Sequence, residues 1–105
     1  MSKIDIWENA ELGVVRKIVG VGKQLMMMEV HFEKGAKGNE HFHVHEQLTY
    51  CIEGEMEFTI NGVKSTIQSG ESITIPSNAL HSVVALEKSK ILDVFHPIRE
   101  DLLHK

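Results

Sequence analysis

Cysteine and long apolar runs are scarce in this sequence, and each shortage excludes a class of protein. The single cysteine, Cys51, cannot form an intrachain disulfide, so we expect a reducing compartment and a packing role for its thiol. No apolar run approaches the roughly 18 residues that span a bilayer. The first residues, MSKIDIWENAEL, also lack the hydrophobic core of a signal peptide. We therefore predict a cytoplasmic protein with no membrane partner.

The sequence also lacks a strong excess of charge of one sign. It has 11 Lys and Arg against 15 Asp and Glu, a formal net charge of -4, and neither sign forms a long block. This balance disfavours nucleic acid as a partner. A length of 105 residues is enough for one core. Because no repeat, low-complexity tract or linker divides the chain, we predict a single domain over residues 1–105.

What the sequence does contain is a regular series of turn signals between short runs rich in Val, Ile, Thr, Tyr and Phe. This spacing is typical of antiparallel strands and predicts an all-β sandwich or barrel. We predict eight strands, at 14–19, 25–33, 41–52, 55–60, 63–68, 72–75, 80–86 and 90–95. The dipeptide Asn61-Gly62 accepts the positive φ values of a type I′ turn and predicts a tight hairpin. At the carboxyl end, Pro97 is expected to open a short helical turn.

Three of the seven histidines, His41, His43 and His45, occupy alternate positions of one short segment, and Gln47 continues the alternation. Residues two apart on an extended strand share a face, so these side chains can converge on one point. Burying several imidazoles without partners is costly, and a bound metal ion removes that cost. His81, on a later strand, can complete the set of ligands.

The spacing of these residues resembles the two sequence motifs of the cupins. The first motif reads Gly, five residues, His-x-His, three or four residues, Glu, six residues, Gly, and residues 35–54 match it with Gln47 in place of Glu. The second reads Gly, five residues, Pro, four residues, His, three residues, Asn, and residues 70–85 match it with Ala85 in place of Asn. The resemblance implies a single-domain double-stranded β-helix, or jelly-roll barrel.

The resemblance also implies one divalent metal ion bound by His41, His43, Gln47 and His81. A carboxamide oxygen is neutral, whereas a carboxylate would cancel one unit of the metal's charge, so the site stays near +2 and is a stronger Lewis acid. This favours isomerase or lyase chemistry over oxygenase chemistry. The metal's identity stays open, because Zn, Ni, Fe and Mn all accept such ligands.

The remaining histidines are given no ligand role. His45 stands where the motif requires no ligand, and we interpret it as a histidine at the rim of the site or behind the ligands. His31, His96 and His104 lack partners at useful spacing, and we interpret them as ordinary side chains.

Over its whole length the chain is similar to the KdgF-like proteins, small cupins of pectin and alginate breakdown. The segments that carry this resemblance are RKIVG, MMMEVHFEKGA, HEQLTYCIEGEMEFTINGV and LDVFHPIRED. It implies a sugar acid as substrate and conversion of 4,5-unsaturated uronates to linear 4-deoxy-5-keto-uronates. It also implies a substrate end built from Asp93, Phe95 and Arg99.

The residues themselves allow two interpretations of this carboxyl-terminal segment. Asp93 and Phe95 share a strand face, Arg99 suits the capture of a carboxylate, and Asp93 is the candidate general acid or base. Alternatively, Asp93 and Arg99 form only a surface ion pair, and Phe95 belongs to the core.

Two other functions remain open beside the metal-dependent enzyme. One is a non-catalytic module that binds a metal and a small acid, and the other is an Fe(II)-dependent dioxygenase. We also expect a homodimer, with the stretch around Trp7 packing on a neighbouring subunit. Of Met26, Met27 and Met28, one or two are expected in the core and the rest at a subunit contact.

Overall fold

A computed structural model describes residues 4–103 of the chain, which form ten β-strands and one short helix. The strands make two antiparallel sheets that face each other. The strand bounds are β1 Glu8–Glu11, β2 Val14–Val21, β3 Met26–Phe32, β4 Lys37–His41, β5 Glu46–Glu53, β6 Glu55–Ile60, β7 Val63–Gln68, β8 Ser72–Ile75, β9 His81–Ala85 and β10 Ser89–His96, and helix α1 spans Glu100–Leu103. The six-stranded sheet has the order β1-β2-β3-β10-β5-β8, and the four-stranded sheet has the order β4-β9-β6-β7. The predicted all-β jelly-roll architecture is thereby confirmed.

Alternation of side chains along the strands places the core between the two sheets. In β3, Met26 and Met28 are buried while Met27 is 39% exposed, as expected for an extended strand with one interior face. Strand β10 repeats the pattern with Ile91, Asp93 and Phe95 inside. Cys51 is fully buried, which confirms its predicted place in the packing.

The hairpin between β6 and β7 is confirmed in its turn and its register. Asn61 and Gly62 have φ values of 48° and 82°, and Ile60 pairs with Val63 directly across the two-residue loop. Positive φ at both central residues is the requirement of a type I′ turn, whose twist matches that of the flanking strands.

The prediction of one strand over 41–52 is wrong. Strand β4 ends at His41, residues 42–45 form a loop, and β5 begins at Glu46. The polar groups of this loop bond outside any ladder. The Asn78 backbone N–H donates to the His43 carbonyl oxygen, and the His43 Nδ1 lies 2.9 Å from the His45 carbonyl oxygen. Once these groups are satisfied locally, the segment does not need a strand partner.

The prediction of eight strands also missed two edge strands, β1 and β4. Their sequences, ENAE and KGNEH, contain one alanine between them as an apolar residue and so carry no alternation of apolar and polar positions. Helix α1 begins three residues after Pro97, and its Leu102 and Leu103 are buried. No helix within residues 4–103 is long and apolar enough to cross a membrane.

Candidate metal centre

The space between the two sheets contains a cavity of about 130 Å³ that gathers most of the predicted site residues. Its lining includes His41, Gln47, His81, Asp93, Phe95 and Arg99, together with Arg16 and apolar side chains from both sheets. A larger groove of about 350 Å³ lies around β2, β3 and β10, but its lining residues are aliphatic, methionine or glycine. Of these two, only the smaller cavity is lined by groups that can bind a metal ion or move a proton.

Three of the predicted ligands converge at this cavity. One ring nitrogen from each of His41, His43 and His81 lies within 4.8 Å of the others. His41 and His81 are cross-strand partners at the β4–β9 pairing, with ring centroids 4.3 Å apart. His43 arrives from the loop, 5.0 Å from His81 between ring centroids. The convergence comes from two strands and a loop, and the parity of a single strand does not produce it.

Backbone carbonyl groups orient all three imidazoles in the same way. Nδ1 lies 2.8 Å from the Asn39 oxygen in His41, 2.9 Å from the His45 oxygen in His43, and 2.9 Å from the Ala79 oxygen in His81. A carbonyl oxygen can only accept, so each Nδ1 carries the proton and donates it. In a neutral imidazole the Nε2 atom then presents a lone pair, and such a bond behind the ring is what metal-binding histidines characteristically make.

Burial keeps two of these rings in the neutral form that binds metals. Desolvation, reinforced by the positive charge of Arg99, lowers the pKa of His43 to about 4. The pKa of His81 is lowered as well, chiefly by burial. Both rings are therefore uncharged near neutral pH, and each has one nitrogen free to act as a ligand.

Gln47 supplies the observation that tests whether a cation fits here. Its Oε1 lies 3.2 Å from Nε2 of His43. Since the proton of a neutral His43 is on Nδ1, both facing atoms are acceptors and no hydrogen lies between them. A divalent cation between Nε2 and Oε1 would satisfy both lone pairs. The donor set of three imidazole nitrogens and one carboxamide oxygen suits Zn, Ni, Fe or Mn, so the residues fit the predicted metal ion.

Asp93 is buried beside Gln47 in a short hydrogen-bond network. Its Oδ1 accepts from the Thr49 hydroxyl at 2.5 Å and from Nε2 of Gln47 at 3.1 Å, whereas Oδ2 accepts no hydrogen bond from the part of the chain that the structure describes. Burial raises the pKa of Asp93 to about 6, although these two hydrogen bonds and the charge of Arg99 oppose the rise. A carboxyl group with such a pKa can hold or release a proton near neutral pH.

Arg99 lies at the same cavity but does not pair with Asp93. Its Nε and Nη2 donate to the Asp101 carboxylate at 3.3 Å and 2.7 Å, and its Cζ lies 5.2 Å from the centroid of the Phe95 ring. Of the two interpretations of this segment, a direct Asp93–Arg99 surface pair is wrong because Asp93 is buried and bonded elsewhere. Phe95 is 3% exposed, so it serves the core and the cavity wall at once.

The other histidines lie outside the cluster of ligands. The ring of His45 is 5.4 Å from that of His43, and its buried Nδ1 has no hydrogen-bond partner among residues 4–103. His31 bonds to Glu29 and packs against Trp7, and His96 lies 3.2 Å from the Gln24 side-chain oxygen. His104 lies outside the described residues.

Sequence reasoning missed two residues that hold the site in place, Thr49 and Asp101. Thr49 is two positions from Gln47 on β5, so the alternation that located Gln47 also pointed to Thr49. Asp101 is two positions from Arg99 at the start of a helix, where an acidic side chain is ordinary and carries little signal.

Comparison with known proteins agrees with this fold. The family model for the cupin domain matches residues 28–95, a span that includes both motifs. The chain therefore belongs to the cupin domain family.

Within that family, the chain is similar to proteins called KdgF. It is 40% identical over 99 residues to the pectin degradation protein KdgF of Dickeya dadantii (strain 3937), covering 92% of this chain and 90% of that protein. The structure of KdgF from Halomonas sp. superimposes with a TM-score of 0.88 at 37% identity, covering 92% of this chain and 90% of that one. An RmlC-like cupin from Shewanella frigidimarina NCIMB 400 gives a TM-score of 0.86 at 33% identity, covering 91% and 86%.

Proposed function

We propose that this protein acts in pectin or alginate breakdown as a metal-dependent enzyme that converts 4,5-unsaturated uronates to linear 4-deoxy-5-keto-uronates. The observation that carries the proposal is one interior cavity lined by imidazole ligands, a buried carboxyl group of raised pKa and an arginine. Its similarity to two proteins named KdgF, one of them called a pectin degradation protein, supports the substrate class.

His41, His43, Gln47 and His81 would hold the metal ion. A divalent ion in this neutral set of ligands would act as a Lewis acid that polarises a substrate oxygen. The chain contributes three oriented imidazoles and a carboxamide to this task, and the low pKa of His43 keeps that ring available as a ligand at neutral pH.

Asp93 would move the proton that the reaction requires. Opening the ring of an unsaturated uronate and forming its ketone moves one proton overall, from the C1 hydroxyl group to C4, while the bond from C1 to the ring oxygen breaks. Oδ1 of Asp93 is occupied by Thr49 and Gln47, which leaves Oδ2 to carry the proton to carbon. A pKa of about 6 suits a group that must be protonated in one step and ionised in the next.

Arg99 would bind the substrate carboxylate and set the sugar against the other groups. A guanidinium offers planar paired donors to a carboxylate, and the hydrogens of Nη1 remain unused by Asp101. The Phe95 ring beneath it forms an apolar wall for the substrate.

We also propose a cytoplasmic homodimer. Exposed apolar side chains on the outer face of the six-stranded sheet support the choice of a second copy as partner. Met27 on β3 is 39% exposed, and Leu48 and Tyr50 on β5 are 47% and 45% exposed; these two strands lie on either side of β10. Apolar surface of this kind often marks a protein interface.

The experiment that tests the enzyme follows the ultraviolet absorbance of unsaturated galacturonate made with a pectate lyase. Metal-restored protein should accelerate the loss of absorbance, and Asp93→Asn should reduce kcat by about 100-fold or more, the usual contribution of a positioned acid. Glu53→Gln, at an exposed carboxylate on β5, serves as the matched control and should leave the rate unchanged.

Three outcomes would contradict this function. Equal rates with and without the protein would exclude catalysis of this step, and binding that returns unaltered sugar acid would favour the non-catalytic module. Oxygen uptake coupled to substrate loss would favour a dioxygenase.

A further inference from the structure

Thr49 is a fully buried polar side chain that the proposed chemistry does not use. It lies on β5 two residues after Gln47, with 0% of its surface exposed, and it is the direct cross-strand partner of Asp93 on β10. A buried hydroxyl group is costly unless its hydrogen bonds are satisfied, so its partners indicate its task.

Three hydrogen bonds join the side chains of Thr49, Gln47 and Asp93 to one another. The Thr49 hydroxyl donates its one hydrogen to Oδ1 of Asp93 at 2.5 Å. Nε2 of Gln47 lies 3.0 Å from Oγ1 of Thr49 and 3.1 Å from Oδ1 of Asp93, and because these two oxygens are only 2.5 Å apart, one amide hydrogen is shared between them. Each of the three side chains therefore contacts both others, and the nitrogen end of the Gln47 amide is the end that faces Thr49 and Asp93.

These hydrogen bonds fix which end of the Gln47 amide faces the imidazoles. If the amide were rotated by half a turn, its Oε1 would face Oδ1 of the Asp93 carboxylate. The one Thr49 hydrogen could then satisfy only one of these two oxygens. In the observed orientation Oε1 instead lies on the histidine side, 3.2 Å from Nε2 of His43.

We propose that Thr49 is a positioning residue for the metal site, acting with Asp93 to hold the Gln47 carboxamide so that its oxygen, and not its nitrogen, faces the ion. The inference rests on the proposed metal site and explains how a glutamine serves where the cupin motif has a carboxylate. A carboxylate presents an oxygen in either orientation, whereas a carboxamide must be held in one.

The first test measures metal affinity with metal-free wild type, Thr49→Val and Thr49→Ser, titrated with Ni²⁺ and Zn²⁺ by calorimetry. Valine keeps the shape of threonine but removes the hydroxyl group, so affinity should fall about 10- to 100-fold, as when a hydrogen-bond partner behind a metal ligand is lost. Serine restores the hydroxyl group and should bind nearly as tightly as wild type. Thr74→Val, on the exposed face of β8, is the matched control and should bind as wild type does. Equal affinities for a folded Thr49→Val and wild type would overturn the proposal.

The second test needs no variant and no metal. In wild-type protein, the side-chain amide hydrogens of Gln47 should exchange with solvent at least roughly 10-fold more slowly than those of Gln24 and Gln68, whose hydrogen bonds are exposed. Exchange of Gln47 as fast as that of these two references would overturn the proposal even if Thr49→Val fails to fold. A wild type that binds neither ion would contradict the proposed function, and the exchange rates would then decide this inference separately.

Discussion

Arg99 is held in one place before any ligand arrives. Asp101 binds its Nε and Nη2, the Phe95 ring lies 5.2 Å below its Cζ, and only 15% of its side chain is exposed. Ordering a long side chain on binding costs roughly 0.5 to 1.5 kcal/mol. Because Asp101 and Phe95 already impose that order, most of this cost falls on folding and little of it on substrate binding.

At this scale the first prediction concerns Arg99→Lys. An ammonium group cannot make two parallel bonds to a carboxylate or lie flat on a ring, so KM for the unsaturated uronate should rise about 10-fold or more, with a smaller change in kcat. Steady-state kinetics measures the two separately. Lys64→Arg, at an exposed lysine on β7 that lies 3.9 Å from Glu57, is the control and should leave both constants unchanged. An equal rise in KM for both variants would contradict the assigned role.

Single residues also show where sequence reasoning succeeds and where it stops. The motif spacing identified the histidines that meet in space, because spacing within a motif records how the chain returns to one point. The motif spacing did not show how the chain runs between these residues. The segment expected as one strand from His41 is the end of β4, a loop and the start of β5. Thr49 shares the alternation of Gln47, but its role, like that of Asp101, is visible only in the atoms that it contacts.

Among the strands, predictability follows how strongly each one alternates and how tight its turns are. The β6–β7 hairpin was predicted with its exact bounds, since Asn61-Gly62 specifies the turn and the turn specifies the register. Edge strands β1 and β4 were missed because Ala10 is the one apolar side chain in ENAE and KGNEH, which leaves no alternation to recognise. A strand that buries little leaves little pattern in the sequence.

Gly54 connects β5 to β6 at a point where the backbone leaves no room for a side chain. It has a φ of 97°, and a Cβ at this position would lie 2.2 Å from Oγ of Ser89 and 2.4 Å from the Lys88 carbonyl oxygen. Gly54→Ala should therefore lower the free energy of unfolding by about 2 to 4 kcal/mol through backbone strain and overpacking. Urea unfolding of the metal-free protein measures the change.

The control for that prediction separates strain from crowding. Gly62 also has a positive φ, 82°, but a Cβ there would meet open space. Gly62→Ala should lower the free energy of unfolding by only about 1 kcal/mol, because a residue with a side chain is strained in the left-handed conformation. If both variants lost the same free energy, the close approach of Ser89 to Gly54 would have no energetic weight.

The whole molecule brings its candidate ligands from both sheets. His41 and His81 belong to the four-stranded sheet, Gln47 belongs to the six-stranded sheet, and His43 lies in the loop that connects β4 to β5. An ion bound by all four would link the two sheets across the interior. Unfolding separates these residues, so the ion should bind the folded state alone and stabilise it.

Metal removal should therefore lower the melting temperature. An ion present at 100 times its Kd adds about 2.7 kcal/mol, and in a chain of this size each kcal/mol corresponds to roughly 4–8 °C, so the loss should be about 10–20 °C. Scanning calorimetry with and without a chelator measures it. His41→Ala should abolish the difference, whereas His96→Ala, outside the cluster, should retain it. A chelator without effect would contradict a metal that links the sheets.

In the metal-free protein, the two buried histidines and Asp93 have opposite effects on how stability changes with pH. His43 has its pKa lowered to about 4 and His81 is lowered too, so the unfolded chain binds protons on both rings as pH falls below about 6.5 while the folded chain resists. Their contribution to stability is complete above that pH and is lost as pH falls. Asp93 acts in the reverse direction, because the folded state holds its proton up to about pH 6. Its contribution is greatest at low pH and is lost as pH rises.

Because two imidazoles act against one carboxyl group, the net change of stability with pH has a sign that can be measured. Stability of the metal-free protein should rise between about pH 5 and pH 6.5, and Asp93→Asn should make the rise steeper by removing the opposing group. Urea midpoints at several pH values in the presence of a chelator give both curves, and titrating groups shared by the two proteins cancel in the difference. Parallel curves would mean that Asp93 binds its proton equally in the folded and unfolded chains, and a buried carboxyl group without such a difference could not be the acid that the proposed reaction needs.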